Sequence, residues 1–139
     1  MNIQPYLYFG GRCEEAIEFY RRAIGAQVVM IMRFKEAPQP PPPGVTPPGW
    51  ESKVMHAAIQ VGDSTLLASD GRGPEQAAFS GITLTLNAAS DAEAKRLFGA
   101  LGDGGRVDQP LEKTFFASSF GMVHDRFGVS WIVIVPTTP

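Results

Sequence analysis

Apolar residues change their spacing several times along this chain, and each change marks an element. Ile3 to Phe9 is a short aromatic-rich run ending at Gly10-Gly11, and it reads as a strand. Cys13-Glu14-Glu15 then opens a helix in which Ala16, Ile17, Phe19, Tyr20, Ala23 and Ile24 recur at three- and four-residue steps. Its early acids and later Arg21-Arg22 complement the helix dipole, and Gly25 is placed to cap its end. Gln27 to Phe34 is β-rich, Lys53 to Val61 and Thr65 to Ser69 form a hairpin around Gly62-Asp63, and Ile82 to Leu86 alternates apolar residues with threonines. Ser90 is the expected N-cap of a second helix through Leu101, with Glu93 at the capping-box position, and the glycines from Gly102 to Gly105 end it. Strands around Arg106–Val107, Phe115–Ala117, Phe120–His124 and Val129–Val135 complete the series. The last two are joined through Asp125-Arg126-Phe127-Gly128, a tight turn whose glycine can take a positive φ.

The order of elements repeats. Glu15-Ala16-x-x-Phe19-Tyr20 aligns with Glu93-Ala94-x-x-Leu97-Phe98, and each helix follows one strand and precedes several. Two βαβββ modules are the simplest description, an α+β layout with helices on one side of a mostly antiparallel sheet. Within the first module, between the 27–34 and 53–61 strands, residues 37–48 hold most of the prolines, which excludes a helix or a central strand and predicts an extended, polyproline-like loop. A PxxP spacing from Pro40 to Pro43 offers SH3-like docking, but a pocket-edge loop or lid is the better use in so small a chain.

Bulk numbers narrow the function classes. With 139 residues, 44% of them hydrophobic, the chain fits one domain (1–139) with modules at about 1–72 and 78–137, and needs no disulfide or metal to make a core. A net charge of −2 with dispersed cations leaves no footprint for nucleic acid or for an anionic membrane. No apolar run approaches the ~20 residues of a membrane span. The first residues show neither a basic nor an apolar signal region, and the one cysteine cannot form an internal disulfide, so a cytoplasmic location is expected. There is no phosphate-binding glycine loop, no zinc spacing and no nucleotide-binding glycine pattern for a methyl donor.

The chain resembles the vicinal oxygen chelate superfamily (glyoxalase I, extradiol dioxygenases, bleomycin and fosfomycin resistance proteins), and within it the PhnB-like group. The resembling residues are Pro5-Tyr6-Leu7-x-Phe9, Glu15-Ala16-x-x-Phe19-Tyr20, Gly25, His56-Ala57, Ser69-Asp70, and Phe120-Gly121-Met122-Val123-x-Asp125-x-Phe127-Gly128-Val129-x-Trp131. The resemblance implies a concave sheet that binds ligands on its inner face and, in metal-using members, one divalent ion held by His, Glu or Gln from four strands. Register against that pattern puts Pro5 or Gln4 at the first ligand position, His56 at or near the second, Gly81 at the third and Trp131 or Ile132 at the fourth. A glycine and a tryptophan give a metal nothing to hold. The expectation is therefore no firmly bound cofactor, with a weakly held ion on His56 and Gln4 as the alternative.

Period two on the 53–61 strand puts His56, Ala58 and Gln60 on one face and Met55, Ala57, Ile59 and Val61 on the helix-facing side. His56 and Gln60 are then candidate ligand contacts, with Leu7, Phe120, Met122 and Trp131 as apolar wall and Phe115 and Phe116 nearby. His124 reads as a surface residue, Asp125 and Asp70 as turn formers, and Cys13 as a small residue at a helix start, where the dipole could lower its pKa but no second cysteine or histidine lies nearby in sequence to make a redox pair. The leading reading is non-covalent binding of a small, partly apolar molecule by a homodimer. The runner-up is a metal-assisted lyase, isomerase or dioxygenase of the glyoxalase type with His56 as a ligand.

Overall fold

Two helices of equal length, each preceded by one strand and followed by three, set the architecture. The structure is a computed structural model and describes residues 1–39 and 41–137; Pro40, the first residue of the PxxP spacing, lies outside them. The chain divides into two compact units, Met1–Ala78 and Phe79–Pro139.

Unit 1 runs β1 (Tyr6–Tyr8), α1 (Cys13–Ile24), β2 (Gln27–Arg33), β3 (Val54–Val61) and β4 (Ser64–Ser69). Its four strands lie in the order β1-β4-β3-β2, with β1 parallel to β4 and the other neighbours antiparallel. α1 buries Cys13, Ala16, Ile17, Phe19, Tyr20, Ala23 and Ile24, the stripe its spacing predicts, and ends on Gly25 at φ 71°. The sheet face that closes this core carries Leu7, Ala57, Ile59, Leu66 and Ala68, all buried and aligned across the strands.

Unit 2 repeats the plan with β5 (Thr83–Asn87), α2 (Asp91–Gly102), β6 (Arg106–Glu112), β7 (Ala117–His124) and β8 (Ser130–Pro136) in the order β5-β8-β7-β6. Ser90 caps α2 by accepting from the Glu93 N–H, while the Glu93 carboxylate reaches the Ala89 N–H instead of closing the box on Ser90. α2 lies so close to β7 that a Cβ on Gly121 would sit 2.6 Å from the Phe98 ring, so only glycine fits there. Asp91 in the first turn of α2 accepts from the Ser118 and Ser119 hydroxyls, which hold its carboxyl below the usual carboxylate range and tie the helix to β7.

Three local expectations change. Phe115 and Phe116 are not a strand of their own: Phe115 is 97% exposed, stacked edge-on against Phe116, and pairing begins at Ala117. β6 extends to Glu112, well past Val107, because Gln109 and Glu112 continue to pair with Met122 and Phe120. In the proline-rich stretch, short 3₁₀ turns at Phe34–Glu36 and Trp50–Ser52 bracket turns and bends. The buried Trp50 indole donates to the Gly71 carbonyl at 2.8 Å and anchors the end of that loop.

Candidate functional site

A cavity of about 680 Å³ opens on the sheet of unit 1, within the range of small-molecule pockets. Tyr6, Tyr8, Phe34, Met55 and Ser69 form its sheet side, Pro41, Pro42, Val45 and Thr46 of the proline-rich loop form another wall, and Gly71, Arg72 and Gln76 close an end. The loop thus builds the pocket edge. Tyr6 and Tyr8 project from the same face of β1 and stack with ring centroids 5.0 Å apart and planes 26° from parallel. The Tyr6 hydroxyl lies 2.8 Å from His56 Nδ1, and the two rings are 5.6 Å apart. Burial raises the Tyr6 pKa, with Tyr8 adding to the rise and Ser69 opposing it. The phenol therefore stays protonated, and the direction of its hydrogen bond with His56 Nδ1 follows the imidazole tautomer.

The wall of this cavity corrects the expected strand orientations. Leu7 is on the buried face of β1, paired with Ala68, so the tyrosines on either side of it hold the open face. Met55, expected to face the helix, lines the cavity instead. A register shift between Met32 and Arg33 breaks the β2–β3 pairing beside it, and both the Asp70 N–H and the Ser69 hydroxyl converge on the Val54 carbonyl. Gln60 is exposed and bonds the Gly62 carbonyl of its own turn, and Gln4 is exposed ahead of β1.

In unit 2, Phe120 and Met122 share the half-buried face of β7 and pair with Ile134 and Ile132 of β8. Trp131 is on the other face, 3% exposed, with its indole N–H donating to Asp125 Oδ2 at 2.9 Å. It is therefore core rather than wall, because strand parity gives the Met122 side to Ile132. Asp125 also accepts from the Phe127 and Val129 N–H groups, so it supports the turn as expected and holds the indole as well. His124, read as a plain surface residue, is gripped by Asp108 at Nδ1, and Arg106 bonds the other carboxylate oxygen at 2.9 Å. Arg106, then His124, hold the Asp108 carboxyl below the usual range. Asp108 thus fixes the orientation of the imidazole. Sequence alone hid it, since Asp108 and His124 meet only through the β6–β7 register.

Cys13 is fully buried, and burial followed by Asp70 and Glu14 drives its pKa up rather than down, so desolvation overrides the helix start. The donors at the family's metal positions do not fit a firmly held ion. Gly81 has no side chain, the Trp131 indole is committed to Asp125, and His56 Nδ1 is committed to Tyr6. Among the described residues no three His, Cys, Asp or Glu side chains gather as a metal would require. Among them, too, no helix is long and apolar enough to cross a membrane.

Residues 1–134 match the family model described as 3-demethylubiquinone-9 3-methyltransferase. The chain belongs to this family, the PhnB-like group of the vicinal oxygen chelate superfamily. It is 34% identical to Protein YjdN of Escherichia coli K12 over 97% of this chain and 95% of that one. Among solved structures it is similar to protein PA1353 from Pseudomonas aeruginosa, with 41% identity, a TM-score of 0.84, and 99% of each chain covered. It is also similar to a PhnB protein from Bacillus cereus, titled a putative 3-demethylubiquinone-9 3-methyltransferase (25% identity, TM-score 0.79, 97% and 99% covered). These matches span both units, so the PhnB-like motifs around Tyr6, His56 and the 120–131 hairpin stand in one family frame.

Proposed function

We propose that this PhnB-like protein binds a small, partly apolar molecule in the unit 1 cavity without a firmly held metal, acting in the cytoplasm. The observation that carries this reading is the stacked Tyr6–Tyr8 wall facing a cavity of about 680 Å³ that the proline-rich loop borders. Two rings already in contact expose a flat apolar surface, and prolines beside it lose little freedom when a ligand arrives, so binding incurs little ordering cost. The test is thermal unfolding of the whole chain against a panel of planar small molecules. A saturating ligand at a hundred times its Kd stabilises the chain by about 2.7 kcal/mol, a rise of several degrees. Tyr8→Ala should leave the unliganded transition close to wild type, because the ring is half outside the fold, and weaken the best ligand about tenfold. A panel with no stabilising compound sinks the reading.

We further propose that the chain works as a homodimer. β2 is an edge strand that leaves Val28, Val29 and Met30 exposed, Val29 by 61%. Apolar edges of this kind are covered in stable proteins. Val29→Lys should shift the mass seen by light scattering from two chains to one, while a wild-type monomer at micromolar concentration ends the proposal.

A further inference from the structure

Charge is the property of this cavity that its aromatic wall does not explain. In unit 1, Arg12 pairs with Glu15, Arg21 and Arg22 with Glu18, and Arg33 with Glu14 and Glu36. Arg72, on the cavity wall, has no carboxylate partner among the described residues. Its own backbone N–H is fixed by the Gln76 side-chain oxygen, so the segment carrying the guanidinium is held in place. None of the described residues lining the cavity is an aspartate or glutamate. The lining residues instead carry donors: the Arg72 guanidinium, the Thr46 hydroxyl and the Gln76 amide.

A cavity with one uncompensated cation, several donors and a stacked phenol face selects for a particular chemistry. We infer that its ligand is an aromatic carboxylic acid, with the ring against Tyr6 and Tyr8 and the carboxylate taken by Arg72. This rests on the small-molecule reading above and narrows it. A planar guanidinium meets a carboxylate through two parallel hydrogen bonds, and charge-assisted bonds of that kind are the strong ones. A cationic ligand would meet Arg72 with like charge. A neutral ring would leave the guanidinium to water and gain only the stacking.

The test uses two probes with the same ring system, 2-naphthoate and its neutral amide 2-naphthamide, titrated calorimetrically into the full chain. The carboxylate should bind about tenfold tighter than the amide, the difference one charge-assisted contact confers. Arg72→Gln should remove that preference, Arg72→Lys should keep part of it, and added salt should erode it. Tyr8→Ala should weaken both probes alike and leave the preference intact, which places the ring and the charge at separate contacts. Equal affinity for the two probes, or a preference that survives Arg72→Gln, overturns the carboxylate assignment and leaves the small-molecule reading standing. If neither probe binds while neutral rings from the thermal panel do, the assignment again falls alone. If nothing in the panel binds, both fall.

Discussion

Asp70→Ala should cost unit 1 about 4 kcal/mol, enough to leave much of the chain unfolded at 37 °C, and denaturant midpoints will measure it. The carboxylate is 1% exposed and carries three backbone N–H groups: Gly11 and Cys13 on Oδ1 at 2.7 and 2.8 Å, Val54 on Oδ2 at 2.8 Å. One side chain after β4 therefore satisfies the start of α1, the loop before it and the start of β3. Alanine would strand all three donors, and a buried unpaired donor costs about 1–3 kcal/mol, partly relieved by relaxation. Asp70→Asn separates charge from shape. Its amide NH₂ has to face either Val54 or the Gly11 and Cys13 pair, donor against donor, so it should lose about 2 kcal/mol or more despite being isosteric. Wild-type stability in Asp70→Asn would show that the contacts are dispensable.

Asp125→Ala comes second, at about 3 kcal/mol, because it strands two backbone donors and the buried Trp131 indole together. Trp131→Phe tests the indole alone, keeping most of the apolar volume and removing one donor. It should cost less than Asp125→Ala, with roughly 1 kcal/mol of its loss due to the missing hydrogen bond. If the two variants are equally stable, the turn donors contribute nothing. Fluorescence in a Trp50→Phe background would report Trp131 directly, and in Asp125→Ala its emission should shift to the red as water reaches the ring.

Both aspartates were legible as turn formers, and the difference between that reading and the structure shows what one-dimensional pattern conveys. Local geometry is written locally: the α1 stripe, the Gly25 end, the Ser90 cap and the Gly128 turn all follow from residues a few positions apart. The alternation of Ala57 and Ile59 against His56 and Ala58 likewise held wherever the ladder was regular. What escaped depends on register between distant segments. Strand β1 has only three residues, too few for a period, so pairing with Ala68 decides that Leu7 turns inward and the tyrosines outward. Met55 moved because the β2–β3 register skips it, from His56 opposite Met32 to Val54 opposite Arg33, and Trp131 could be separated from Ile132 only once Val123 lay opposite it. The grip of Asp108 on His124 is another product of register, invisible until β6 is laid beside β7.

The tyrosine wall stands on the shortest strand of its sheet, at an edge, bonded to β4 on one side only. Such a segment is the part of a fold that opens first, at far less cost than global unfolding. A molecule lying on Tyr6 and Tyr8 binds only where that strand is in place, so it holds the strand shut while it stays. Amide exchange at Leu7 and Phe9 would therefore report occupancy, slowing as the ligand fills the site while the exchange of α1 stays as it was. Unit 2 repeats the parallel join between its first and last strands over a longer pairing and carries no tyrosines on β5, so local opening there has no aromatic wall to release.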